Sequence, residues 1–197
     1  MSTTAKAPLP GFKGEYLWEF DWAAKQLFAL AEAIPAERYG WRPAETARSV
    51  SEVLVHLAAG GRSLLVLLGL DEAPDLYGKL EGEGVPRMMA IFRKNQSLEK
   101  SITDKAAVIA LLRRGLEGMR TAFAEASDGE LERPEVFFGE RSTVRRLYLR
   151  GLCHLHEHMG QLIAYTRAMG MLAPWHAETE ALLKKLETGL LAHGKQG

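Results

Sequence analysis

The chain has 197 residues, with 25 Lys plus Arg against 25 Asp plus Glu and a formal net charge of zero. That length suits one domain with a sizeable core, and the balance of charge offers neither the basic field of a nucleic-acid binder nor an acidic solvated tail. Cys153 is the one cysteine, the N-terminal stretch lacks the apolar run of a leader, and the longest apolar patch (63–70) is far below the roughly 20 residues that span a bilayer. The expectation is a cytoplasmic protein with no disulfide, no nucleic-acid partner and no membrane partner.

Helical periodicity dominates the rest, and no stretch alternates cleanly enough to predict a sheet. Residues 14–34 repeat apolar side chains at Leu17, Phe20, Ala24, Leu27, Phe28 and Ala31 until Pro35 ends the pattern. A compact proline-containing connection follows over 35–48. Ser49 and Glu52 then carry the signature of a capping box, opening a second helix that runs to Gly69. Residues 71–102 read as a long crossover with Gly82, Gly84 and Pro86, followed by a stretch, RMMAIFRKNQSLEK, that can be helical. A third helix starts near Thr103-Asp104, carries Val108, Leu111, Leu112, Leu116, Met119 and Phe123, and stops at Ser127-Asp128-Gly129. The fourth runs from Ser142 or Thr143 to Gly170, a natural left-handed terminator. The fifth runs from Pro174 to about His193, with Leu182, Leu183, Leu186 and Leu190 along one side. The prediction is all-α: a four-helix bundle with a long crossover connection and an additional C-terminal helix. It is one domain over 14–193, between flexible segments at 1–13 and 194–197.

The fourth helix contains GLCHLHEHMGQLIAYTRAMG (151–170), with three histidines in five positions. At about 100° per residue, Leu147, Gly151, His154, His158, Leu162, Tyr165 and Met169 share one arc, while His156 faces away. Two imidazoles therefore stand in a stripe that should be apolar. Spaced one turn apart, His154 and His158 can reach one metal ion from a single face, and Gly151 leaves room on that face. A hydrogen-bonded pair of core histidines accounts for the same spacing equally well, since an unpaired buried ring nitrogen costs about 1–3 kcal/mol. The zinc-protease pattern is excluded, because Gly160 stands where His156-Glu157 would need its second histidine.

His56 is the candidate third ligand. It lies beside the apolar arc of Val53, Leu57 and Leu64, with Gly60 and Gly61 a turn later allowing another helix close, although a satisfied core histidine fits there too. Glu157 reads as a ligand-orienting group or general base against a solvated flank. Gln161 reads as a partner of a metal-bound ligand against a bond to another helix's backbone. Tyr165 reads as core, Cys153 as turned off the histidine face, and His176 and His193 as solvent-facing. Trp18, Trp22, Trp41 and Trp175 read as packing residues, with Trp41 closing one bundle end. Phe137 and Phe138 read as loop anchors or a pocket rim, and Arg145, Arg146 and Arg150 as a solvated face or an anion surface.

With these histidines aligned, WRPAETARSVSEVLVHLA (41–58) and GERSTVRRLYLRGLCHLHEHMGQLIAYTRAMG (139–170) resemble the DinB-like superfamily of damage-inducible, four-helix proteins. In that family a tryptophan and a proline precede an S-V-x-E-x-L-x-H helix, matched here through His56. A later H-x-x-x-H-x-G-Q is matched at His154, His158, Gly160 and Gln161. The resemblance implies that His56, His154 and His158 form a metal triad for a divalent ion such as nickel, zinc, manganese or iron. It also implies that the protein is a metal-dependent enzyme acting on a small electrophilic substrate, by thiol S-transfer with a low-molecular-weight thiol or by hydrolysis. The alternatives are a non-catalytic, stress-related metal- or small-ligand-binding protein and a bundle with metal-free core histidines. The amphipathic first and last helices lead to the expectation of a homodimer.

Overall fold

The structure, a computed structural model, describes residues 11–193. Of the flexible ends expected at 1–13 and 194–197, residues 1–10 and 194–197 lie outside the described residues, as do the side chains of Leu190 and His193, while 11–13 are helical. Helix α1 (Gly11–Ala33) begins three residues before the predicted start at 14 and buries Tyr16, Phe20, Leu27 and Leu30. Trp18 and Trp22 read as packing residues; at 61% and 43% exposure they face out, with Trp22 stacked on His156. Each lies two positions from Phe20, about 200° around the helix, so the stripe that buries Phe20 turns both indoles toward solvent.

One turn of 3-10 helix (Ala36–Arg38) leads to Tyr39, which is buried and donates its hydroxyl to the Ala31 carbonyl. Helix α2 (Val50–Leu67) opens on the expected capping box: the Glu52 amide donates to Ser49 Oγ at 3.3 Å, and the Ser49 amide donates to the Glu52 carboxylate at 2.9 Å. Arg42 and Lys100 close on the same carboxylate, so the start of α2 is held from two other segments. Among the described residues α2 is also the one helix long and apolar enough to cross a membrane, and 78% of it is buried inside the fold. Its apolarity is that of a central core helix.

The expected crossover is mostly helical. It contains α3 (Pro74–Tyr77) and the 18-residue α4 (Gly84–Ser101), which packs along α2. Helix α5 (Lys105–Glu125) starts at its predicted cap, with Asp104 accepting from the Ala107 amide at 2.9 Å. Ser127 does not merely end that helix: it caps a further turn, α6 (Asp128–Leu131), in a second capping box with Glu130. An antiparallel hairpin then appears where no sheet was expected. Strands β1 (Pro134–Phe137) and β2 (Glu140–Thr143) pair from Pro134↔Thr143 to Phe137↔Glu140. Phe138 and Gly139 turn the corner with φ of 50° and 83°, the two left-handed residues of a tight hairpin turn. Helix α7 (Val144–Ala168) follows at once, capped by Thr143, and Gly170 ends it in the left-handed region. Helix α8 (His176–His193) carries Leu182, Leu183 and Leu186, all more than half exposed.

Four long helices share the core in the spatial order α1, α5, α2, α7, with α4 outside on α2. The seam between α2 and α5 is the tightest. A Cβ on Gly115 would lie 2.6 Å from the Ala58 carbonyl oxygen, so only a glycine lets the two backbones meet there. Ser49→Ala removes one half of the α2 capping box and is expected to lower stability by about 1 kcal/mol in urea titration.

Candidate metal centre

Helix α2 contributes His56, and α7 contributes His154 and His158 one turn apart. Gly60, a turn after His56, keeps that flank of α2 bare: a Cβ there would already touch the His154 ring at 3.7 Å. His154 Nε2 lies 3.1 Å from His56 Nε2 and 3.0 Å from His158 Nε2, and the three coordinating nitrogens fall within 4.8 Å of one another. The structure thus brings together the three histidines singled out in the sequence.

The outer ring nitrogens decide what the inner ones are. Glu99 on α4 is buried, and burial alone would raise its carboxyl. Hydrogen bonds from His56 and Arg48 outweigh that and hold it below the ordinary carboxylate range. An ionised carboxylate only accepts, so His56 Nδ1 donates to Glu99 Oε1 at 2.8 Å and Nε2 is left as a lone pair. For His158 a longer chain gives the same answer. The Arg48 backbone carbonyl only accepts, so the Tyr165 hydroxyl donates to it at 3.1 Å. Tyr165 in turn accepts from Gln161 Nε2 at 2.7 Å, which turns Gln161 Oε1 toward His158 Nδ1, also at 2.7 Å. Nδ1 therefore carries the proton, and His158 Nε2 is a second inward lone pair.

Two lone pairs thus converge on His154 Nε2 at about hydrogen-bond distance. One N–H on that ring can satisfy only one of them. A cation satisfies all three nitrogens, and two of the separations approach the roughly 3.3 Å between ligands in a tetrahedral site with metal–nitrogen bonds of about 2.0–2.1 Å. The donor set, with a carboxylate and an amide behind two of its rings, fits a divalent transition ion.

Sequence reasoning missed Arg48, Glu99, and the hydroxyl role of Tyr165. Gln161 bridges His158 to Tyr165, a link between its two predicted roles. Glu157 is exposed and its carboxylate is held by Arg150, which keeps it below the ordinary range. His156 pairs with Glu19 at 3.1 Å and stacks on Trp22. His176 faces solvent beside Glu180, and Cys153 is exposed. Trp41 packs edge-on against Tyr165. Arg145 and Arg146 pair with Glu132 and Glu140. Gly151 leaves space that Met119 takes: a Cβ there would lie 2.7 Å from the Met119 methyl.

A cavity of about 410 Å³ opens beside the cluster, lined by His56, His154, Glu99 and Arg48 at one end and largely by leucine and phenylalanine side chains elsewhere. Phe137 and Phe138 of the hairpin line it, so the predicted rim role holds. Burial, reinforced by the neighbouring His158 and His56, lowers His154 from 6.5 to about 4; burial also lowers His158, against the opposing Gln161 hydrogen bond. His154 and His158 therefore stay neutral and ready to ligate at pH 7. In metal-stripped protein the unfolded chain takes up protons as pH falls through 6.5, while folded His154 resists until about 4. Stability is therefore expected to fall across that window, and His154→Gln should flatten the fall in urea titrations between pH 7 and pH 4.5.

The DinB superfamily model matches residues 19–162. Among solved structures, a DinB-like protein of Bacillus cereus ATCC 10987 is similar with a TM-score of 0.62 at 18% identity, covering 83% of this chain and 95% of its own. A DinB-like protein of Bacillus subtilis is similar with a TM-score of 0.56 at 21% identity, covering 79% and 92%. No curated protein matches the sequence. The two solved structures share the fold, the family match spans most of the sequence and includes His56, His154 and His158, and the chain belongs to the DinB superfamily.

Proposed function

We propose that the protein is a divalent-metal-dependent enzyme acting on a small electrophilic molecule by thiol transfer or hydrolysis. The observation that carries this reading is the convergence of His56, His154 and His158 through nitrogens whose tautomers are set from outside, beside a cavity of ligand size. A divalent ion bound there supplies a Lewis acid that favours the deprotonated form of a thiol or of water. The protein's own part is to hold three neutral donors in place. Glu99 and Gln161 act as positioning residues, each through the ring it binds. Glu157 reaches the cavity only through Arg150, whose guanidinium it holds. The apolar walls exclude water from the reacting molecules.

Protein purified without a histidine tag is expected to carry about one divalent ion per chain, identified by elemental analysis as nickel, zinc, manganese or iron. A chelator should lower its melting temperature, His154→Ala should abolish loading, and Glu99→Gln should weaken metal affinity by about 10- to 100-fold. Absence of metal together with an unchanged melting point overturns the reading. Turnover of electrophiles with bacillithiol-like, mycothiol-like or glutathione-like thiols, lost in His158→Ala, separates an enzyme from a metal-binding protein without catalysis.

The proposal includes a homodimer through α8, where Leu182, Leu183 and Leu186 are 56%, 53% and 54% exposed on one face. Light scattering is expected to give twice the chain mass for wild type and the chain mass for a Leu183→Glu, Leu186→Glu double variant. A monomeric wild type removes this part.

A further inference from the structure

Three walls of the cavity share one polarity gradient. On α2 the lining runs from His56 past Gly60 and Leu64 to Leu67, eleven residues and so about 16 Å of helix. On α7 it runs from His154 back to Leu147, and on α4 from Glu99 back to Phe92, each about 10 Å. Every wall starts at the histidine cluster or its supporting carboxylate and ends on an apolar side chain.

Apart from Gln96, which is exposed on α4, the polar side chains along the way are partnered within the protein, Arg150 by Glu157. Ser63 donates to the Gly60 carbonyl, and Asn95 Oδ1 accepts from Tyr77 at 2.9 Å. Glu99, the lining carboxylate, is taken by Arg48 and His56. A sugar or peptide body would leave most of its own polar groups without partners against the leucine and phenylalanine walls, whereas each methylene buried there is worth roughly fourfold in affinity. At the far end Phe138 keeps a left-handed φ of 50° with its ring stacked on Phe92, 5.8 Å between centroids. Non-glycine residues hold that conformation where surrounding contacts favour it.

From this gradient we infer that the cavity takes an amphiphilic small molecule with one anionic head at the histidine cluster and an unbranched or aryl apolar tail reaching Phe92 and Phe138. The head assignment rests on the metal reading, because three neutral imidazoles leave the charge of the ion uncompensated. The tail assignment rests on the walls alone.

Straight-chain carboxylates from acetate to decanoate serve as probes, titrated calorimetrically into metal-loaded and chelator-stripped protein. Affinity is expected to rise roughly fourfold per methylene until the tail fills the cavity, then level off. Stripping the metal should weaken all chain lengths by a common factor and keep the slope. Phe92→Asp, at a half-buried position, should narrow the decanoate-to-acetate ratio at least about tenfold, because it places a charge beside the tail. A flat dependence on chain length, or a slope that Phe92→Asp leaves intact, overturns the inference. A preserved slope with no effect of stripping removes the metal reading and keeps the tail assignment, so the two failures are distinguishable.

Discussion

Two nitrogen lone pairs aimed at a third imidazole form the constraint around which this molecule is arranged, and one residue governs both. Arg48 immediately precedes the cap of α2. Its guanidinium holds Glu99, which fixes the tautomer of His56. Its backbone carbonyl receives the Tyr165 hydroxyl, the last link of the chain that fixes His158. Both outer supports therefore end at the joint where the 35–48 connection enters the central helix. That joint is rigid because Glu52 closes a capping box and also binds Arg42 and Lys100. The chemistry of the cluster is thus set by the same contacts that start a core helix.

Electrostatics around the cluster follow from pairing. Arg48 offsets Glu99, and Arg150 offsets Glu157. Burial among one another keeps His154 and His158 uncharged near neutrality. The arrangement presents nitrogen donors without placing a free carboxylate beside them, which separates ligation from charge compensation.

The helices that hold the site were legible because their starts carry explicit chemistry: Ser49 with Glu52, Asp104, and Thr143 all cap where they were expected. The histidines were legible because a polar side chain in an apolar stripe breaks the period. The same logic applied to Ile91, Asn95 and Glu99, spaced four apart, would have found the supporting carboxylate. It was hidden because RMMAIFRKNQSLEK read as a helical stretch within a crossover rather than as a helix packed on the bundle; Gly84 and Pro86 occupy the first turn of α4, where a proline costs no hydrogen bond. The hairpin was hidden because its strands are four residues long and its turn is Phe-Gly rather than the usual Asn-Gly. Tyr165 was placed correctly in the stripe, but periodicity reports where a ring sits and says nothing of where its hydroxyl points.

The glycine seam behind α2 has a reach beyond packing. At Gly115 the α5 backbone lies against Ala58, two residues from His56 on the same turn of α2. A single methyl added on α5 would force the two backbones apart. The position of the helix that carries His56 therefore rests in part on a buried contact that itself holds no reactive group.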